Sequence, residues 1–443
     1  MLELLGSGLI SLWLEMAGVQ IKPTEALETL ALHNSRGLVL APDPNPAGST
    51  TVQEYLQELI TTKLVPENLT ESQGIWLQSG PILMANHQGT TPLPAASLTK
   101  IATSLVALKT WGPDHQFKTL VSSTGPIVNG VLQGDLVITG GGDPMFVWEE
   151  AIALGNSLNQ MGIKQVTGNL VIRGNFAMNF EPNPILAAQM LKQALNHLSW
   201  TRQANYIYST MPKGTAKPQV LIAGIVKSAS QPNPQETLLM RRGSLPLHQL
   251  IKEMNVFSNN VMAEMLAQSL GGTAKMRSQA AKFAGVPEAE IQLINGSGLG
   301  VDNRISPRAA CAMLMAIQRE ATTHNINVAD LFPTSGFDRR GTMQARNMPY
   351  ATVMKTGTLR EVSALAGVFP TGDRGLVWFA IINHGSQIPA LRASQDRFLQ
   401  ALVQRLEVSP NIPSTITPNS PKYSLPELGT PSRNAILFPA NNP

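Results

Sequence analysis

The sequence predicts an α+β protein, on three observations. Gly74 to Gln78 and Ile82 to Ala85, split by Ser79-Gly80-Pro81, read as an antiparallel hairpin. Val362 to Phe369 and Leu376 to Ile382 are apolar, β-branched runs joined by Pro370-Thr371-Gly372-Asp373, and read as a second hairpin. Helical spacing marks 51–62, 98–110 and 260–270, and Ala390 to Leu406 carries it at Leu391, Phe398, Leu399, Leu402 and Leu406.

Between the hairpins lies an internal echo. Gly134-Asp-Leu-Val-Ile-Thr-Gly140 recurs as Gly168-Asn-Leu-Val-Ile-Arg-Gly174. Two copies are too few for a solenoid, so they read as two strands of one small β-rich domain, separated by a helix at Trp148 to Gln160. The run Gly140-Gly141-Gly142-Asp143-Pro144 lacks the spacing of a phosphate-cradling loop and reads as a turn.

At 443 residues, 43% hydrophobic and 14% charged, the chain is globular and long enough for two or three domains. The net charge of +4 is scattered, with Arg241-Arg242 and Arg339-Arg340 the densest pairs, which argues against nucleic-acid binding. The single cysteine, Cys311, sits in the apolar run Ala309 to Leu314 and reads as a buried hydrophobe; no intrachain disulfide can form. The seven histidines are dispersed and none sits in an H-x-H or H-E-x-x-H arrangement, so no metal and no cofactor is expected.

Residues 2–19 are largely apolar, but no Lys or Arg precedes them. Glu3, Ser7, Ser11 and Glu15 form a polar stripe at four-residue spacing. That pattern favours a retained amphipathic helix over a secretory signal. No stretch is long and clean enough for a confident membrane span. From Val408 on, Pro, Ser, Asn and Thr dominate without apolar period, and that composition predicts a disordered tail.

Three short motifs carry the candidate chemistry. In Ser97-Leu98-Thr99-Lys100, the apolar residues Leu98, Ile101, Ala102, Leu105 and Val106 place a buried helix face directly after the serine. Ser97 then sits at a helix N-terminus, where backbone N–H groups favour developing negative charge. Lys100 lies one turn along the same side, within reach of the Ser97 hydroxyl. A serine hydroxyl needs a base to take its proton, and a partly desolvated lysine can serve. Ser258-Asn259-Asn260 opens a helix that Gly271-Gly272 ends. Taken alone, S-x-N carries little, because the pattern also occurs at Ser157, Ser409 and Ser432. Lys355-Thr356-Gly357-Thr358 lies in a β-prone stretch before the second hairpin; a strand glycine permits close backbone approach, and the flanking amine and hydroxyls can bind a carboxylate.

The order S-x-x-K, S-x-N, K-T-G, in helix-start, helix-start and strand contexts, resembles penicillin-binding proteins and serine β-lactamases. Longer strings narrow the resemblance. They include Leu93-Pro94-Ala95-Ala96 before Ser97, Thr139 to Pro144, and Ser258 to Glu264. Gly296-Ser297-Gly298-Leu299, Asn303 to Arg308, Gly341-Thr342-Met343 and Val362 to Gly367 complete them. From about Gly74 to Gln404 the chain resembles the class C low-molecular-mass penicillin-binding proteins, D-alanyl-D-alanine carboxypeptidase/endopeptidases of peptidase family S13.

That resemblance implies a β-lactamase/transpeptidase-like antiparallel sheet flanked by helices, built from both chain halves around a β-rich insert. The domains expected are an N-terminal helix and lead-in over 1–50, a catalytic domain from 51–112 and 243–407, the insert over 113–242, and the tail over 408–443. It implies that Ser97 attacks the D-Ala-D-Ala carbonyl with Lys100 as general base. Ser258 would relay a proton to the leaving D-alanine, and Asn260 would hold the acyl-side amide and help position Lys100. Lys355 would supply positive charge near Ser258 and the substrate carboxylate, which the hydroxyls of Thr356 and Thr358 would bind beside Gly357. The N–H groups of Ser97 and Thr358 would form the oxyanion hole. Partners implied are peptidoglycan stem peptides and β-lactams, in the periplasm.

Two departures stand out. Ser97 and Ser258 are 161 residues apart, fewer than in typical members, which implies that the family's inserted domains are reduced. Asn295 stands where the family has aspartate before Gly-Ser-Gly. A β-lactamase is the first alternative, opposed by the long insert and the lack of a class A deacylating glutamate segment. A non-catalytic wall-binding protein is the second, opposed by the intact motif residues.

Overall fold

The structure is a computed structural model that describes residues 40–420 and 426–437; the expected helix over 2–19 lies outside the described residues. The chain folds as two compact units. The first takes the described residues up to Leu105, then Arg277–Ile294, and then Gly298 onward to residue 420. The second takes Val106–Met276, Asn295–Ser297 and the described residues 426–437.

A six-stranded sheet organises the first unit. Both expected hairpins are present, as Gly74–Ser79 with Ile82–His87 and as Val362–Thr371 with Gly375–His384. They join antiparallel where Ile382 meets Gly74. Val353–Leu359, the strand carrying the K-T-G motif, pairs with Val362–Thr371 and forms one edge. The other edge is Ala41–Pro42, which runs parallel to Ile82–His87.

The strands of the second hairpin are almost wholly apolar, Ser363 being an exception, because helices cover the sheet on both faces. Val52, Tyr55 and Leu59 of helix Ala47–Thr61 and Phe398, Leu399 and Leu402 of helix Ile388–Arg405 pack with Leu365, Phe369, Phe379 and Ile381. Helix Pro307–Thr322 packs against the same strands yet adds nothing to that cluster, so it covers the opposite face. There the strands present small residues, with Ala366 paired directly to Ala380. The single cysteine, Cys311, is buried in this helix, and burial pushes its thiol pKa well up.

The second unit holds a sheet in the order 226–228, 170–175, 136–141, 118–123, 237–243 and 434–436. The echoed segments become neighbouring parallel strands in one register, Leu136 beside Leu170 through Gly140 beside Gly174. The helix expected between them runs Trp148–Gln160 and buries Ile152, Leu154 and Leu158. Helix Leu247–Phe257 also belongs here, because Leu247 and His248 donate backbone hydrogen bonds to His115 and Pro113 at 2.9 and 3.0 Å. The compact unit therefore extends beyond residue 242 to Met276.

The tail corrects the expectation of disorder over its described residues. It has too few apolar groups for a core of its own, and it binds to surfaces already built. Ile416 is buried, and Gln318 and Asn327 donate to the carbonyls of Thr415 and Thr417 at 2.9 and 2.7 Å. Further on, Asn434–Ile436 pairs antiparallel with Met240 to Arg242. The fully buried Glu150 accepts from Arg433 and from Gly429 N, at 2.7 and 2.9 Å, and also pairs with buried Arg242. Composition registers a segment's own hydrophobicity, whereas these contacts come from residues roughly 90 to 280 positions away.

Candidate active site

The serine of the first motif sits on a short, strained turn. Ala96–Leu98 form one 3-10 turn before helix Thr99–Trp111 begins. Ala96 adopts φ 48°, a left-handed conformation that costs a non-glycine residue roughly 1–2 kcal/mol. Two glycines close on this turn. At Gly298, φ +86°, a Cβ would stand 1.8 Å from the Ala96 carbonyl oxygen. At Gly357 a Cβ would stand 2.9 Å from the Ala95 carbonyl oxygen and 3.1 Å from Ser97 N. The carbonyl of Asn303 also accepts from Ala95 N at 2.8 Å. The turn is fixed before any ligand arrives.

Lys100 is fully buried, and its Nζ donates to Ser97 Oγ at 3.0 Å. The one-turn spacing read from the sequence thus brings base and hydroxyl within hydrogen-bond reach.

Lys355 is also fully buried, on the edge strand, and its Nζ donates to the Thr356 carbonyl at 2.7 Å. Burial first, and the like charge of Lys100 second, hold its pKa well below the ordinary lysine value. Its positive charge is therefore weakly held, and an anion beside it would favour that charge. Thr356 Oγ1 donates to Thr342 Oγ1 at 2.9 Å. Thr342 belongs to the short turn Gly341–Met343, and the loop after that turn is pinned by Arg346 Nε and Asn347 N, each 2.8 Å from the Asp396 carboxylate. Thr358 is exposed on the same strand face, two residues on, and Arg392 of helix Ile388–Arg405 donates to its hydroxyl.

Ser97, Lys100, Lys355, Thr356, Gly357 and Thr358 all lie in the first unit, whereas Ser258 and Asn260 lie in the second. Ser258 does not open a helix: it ends Leu247–Phe257 in a left-handed conformation, φ 53°. Asn259 is the cap of the next helix, Asn260–Ser269, accepting from Met262 N at 3.1 Å.

Several supporting residues escaped sequence reasoning. Ala96 and Gly298 shape the turn; both lie in strings that carry the resemblance, but nothing local marks the left-handed conformation of Ala96 or its close approach to Gly298. Glu264 accepts from Gly296 N and Ser297 N at 3.0 and 2.9 Å, holding that string's start within the second unit. Arg392 gave no signal, since nothing local marks a helix arginine as a partner of Thr358.

Among the described residues, no group of three His, Cys, Asp or Glu could hold a metal ion, and no helix is long and apolar enough to cross a membrane.

A helix-covered antiparallel sheet, a serine-lysine pair at a helix start and a K-T-G edge strand agree with a serine peptidase of the penicillin-recognising class. The model of the D-Ala-D-Ala carboxypeptidase 3 (S13) family matches residues 67–178 and 185–405, and the chain belongs to that family of serine peptidases. It is 24% identical over 389 residues to the D-alanyl-D-alanine carboxypeptidase DacB of Haemophilus influenzae, covering 66% of this chain and 80% of that one. A carboxypeptidase of Mycobacterium tuberculosis is 26% identical over 336 residues, covering 66% and 71%.

Solved structures that share the fold include these two. One is the penicillin G-acylated predatory endopeptidase Bd3459 of Bdellovibrio bacteriovorus, with its immunity protein (TM-score 0.67, 22% identity, 79% of this chain and 96% of that one). The other is penicillin-binding protein 4 of Haemophilus influenzae (TM-score 0.60, 20% identity, 79% and 99%).

Proposed function

We propose that this chain is a serine D,D-carboxypeptidase that also has the means for D,D-endopeptidase cleavage, acting on D-Ala-D-Ala of peptidoglycan stem peptides through an acyl-enzyme on Ser97. The observation that carries the reading is the 3.0 Å hydrogen bond from buried Lys100 Nζ to Ser97 Oγ, beside the K-T-G edge strand.

In the mechanism, Lys100 takes the Ser97 proton as Oγ bonds to the carbonyl carbon of the penultimate D-alanine. Negative charge gathers on the carbonyl oxygen, and the N–H groups of Ser97 and Thr358 receive it. Ser258 relays the proton held by Lys100 to the leaving nitrogen as the C–N bond breaks and the terminal D-alanine departs, which leaves Ser258 protonated and Lys100 neutral again. Asn260 holds the acyl-side amide. Water then attacks the ester, and neutral Lys100 takes its proton and returns it to Ser97 Oγ as the acyl–oxygen bond breaks. Thr356, Thr358 and Lys355 bind the terminal carboxylate, which restores charge to Lys355. β-Lactams enter by the same route and stall as esters. Such substrates place the protein in the cell envelope, on the periplasmic side.

Labelling with a fluorescent penicillin tests the reading. Wild type labels, the label is released slowly, and Ser97→Ala does not label while keeping its thermal transition. Rapid release would favour a β-lactamase. Normal labelling of Ser97→Ala would remove Ser97 from the role, and an unlabelled wild type would favour a non-catalytic wall-binding protein.

A further inference from the structure

We propose that Arg392 is a substrate-binding residue, whose guanidinium grips the free carboxylate at the C-terminus of the stem peptide together with the Thr358 hydroxyl. The inference rests on the reading above and adds a residue that no motif contains.

The geometry points to an anion. Arg392 Nη2 donates to Thr358 Oγ1, on the exposed face of the edge strand. That is the one hydrogen bond Arg392 makes among the described residues, and a guanidinium carries five N–H donors. No carboxylate pairs with it among those residues. Asp396, one turn further along the same helix, is engaged by Arg346 and by Asn347 N. Arg392 is half-buried, where an uncompensated charge is costly. Burial first and the like charge of Arg346 second push its pKa down, and the charge of Asp396 offsets them only in part. A guanidinium so placed has donors and charge to spend on an anion arriving at Thr358.

The chemistry of the neighbouring groups strengthens the case. Threonine hydroxyls supply hydrogen bonds and no charge. Lys355 is buried, and its charge is opposed by that of Lys100. Arg392 keeps its proton at any working pH, so it supplies the permanent cation that a carboxylate-selective pocket needs. Its planar fork also allows the two-point contact to a carboxylate that an ammonium cannot make.

The test compares a D-Ala-D-Ala peptide with its C-terminal amide on wild type, Arg392→Gln, Arg392→Lys and, as a control, Arg360→Gln. Arg360 is exposed just beyond the strand. For Arg392→Gln, kcat/KM on the free acid is expected to fall about tenfold to a hundredfold, the loss typical of a charge-assisted contact, mostly through KM. The amide should change less than about threefold, so the acid/amide preference collapses. Arg392→Lys should retain part of that preference, and it carries the comparison if the glutamine variant melts early. Arg360→Gln should leave the preference unchanged.

Equal losses on acid and amide would mean that Arg392 only positions Thr358, and would overturn the proposal. An unchanged acid/amide ratio in both Arg392 variants would overturn it too. Failure of the underlying reading looks different: wild type itself would neither label with penicillin nor cleave either peptide.

Discussion

The Cβ that Gly357 lacks would lie 3.1 Å from the backbone nitrogen of Ser97. The K-T-G strand therefore packs backbone against backbone on the turn that carries Ser97, and glycine is the residue that permits it. In the proposed mechanism this packing would set how closely the N–H of Ser97 and that of Thr358 converge on one oxygen.

Gly357→Ala is expected to slow acylation by about a hundredfold, the loss seen when one oxyanion donor is removed. The added methyl group would stand 2.9 Å from the Ala95 carbonyl oxygen, too close for a real Cβ, so backbone must shift to admit it. Stopped-flow penicillin acylation checks it, and a near-normal rate would mean that the strand can shift without disturbing the two donors.

Lys100→Arg keeps the positive charge and removes the base, since guanidinium does not deprotonate in proteins. Acylation should fall at least a few hundredfold, within the usual range for loss of a general base. Peptide hydrolysis should fall in parallel, and an active arginine variant would require another base.

Thr356→Val keeps the shape and removes the hydroxyl that now bonds Thr342 at 2.9 Å. It should slow cleavage of the free-acid D-Ala-D-Ala peptide well beyond that of the amide. Equal losses on the two peptides would mean that Thr356 does not contact the carboxylate.

Lys355 gives a pH signature. Its folded pKa lies well below 10.5, so between that lowered value and about 10.5 the unfolded chain binds more protons than the folded one. Stability from this residue therefore rises with pH across that window. In urea unfolding, Lys355→Met should be more stable than wild type at the lower end of the window, the advantage shrinking towards pH 10. Parallel curves for the two proteins would contradict the depressed pKa.

Glu150→Ala removes the acceptor shared by Arg242, Arg433 and Gly429 N. Arg242, 1% exposed, would be left without its carboxylate, and a broken buried pair costs about 3–5 kcal/mol. Unfolding midpoints should drop accordingly, and limited proteolysis should cut near residue 430 sooner. Unchanged digestion would mean that the tail is held mainly by its strand pairing.

The sequence was most informative where one short stretch carried the whole pattern. Both hairpins, helices at 47–61 and 388–405, and the paired echo strands follow from local apolar spacing and turn residues. Lys100 was legible because three residues of helix fix its distance from Ser97. Features made by distant partners were not. Asn434–Ile436 is a strand only because Met240 to Arg242 offers an open edge, and Ser258 takes its left-handed conformation at the junction of two helices. Arg392 and Thr358 are separated by 34 positions, and sheet and helix packing joins them.

The pairing of Gly74 with Ile382 bears on how the molecule is made. The first hairpin, which leads towards Ser97, forms early, but its strand Gly74–Ser79 meets its second sheet neighbour only when some 300 further residues have been synthesised. At ribosomal rates of 5–20 residues per second, that is a wait on the order of 15–60 s. The five strands from Lys118 to Gly243 lie within one uninterrupted stretch, so their sheet can assemble meanwhile, with Asn434–Ile436 added at its edge last. The serine-bearing unit is thus completed late, and the enzyme stays without a finished catalytic centre for most of its synthesis.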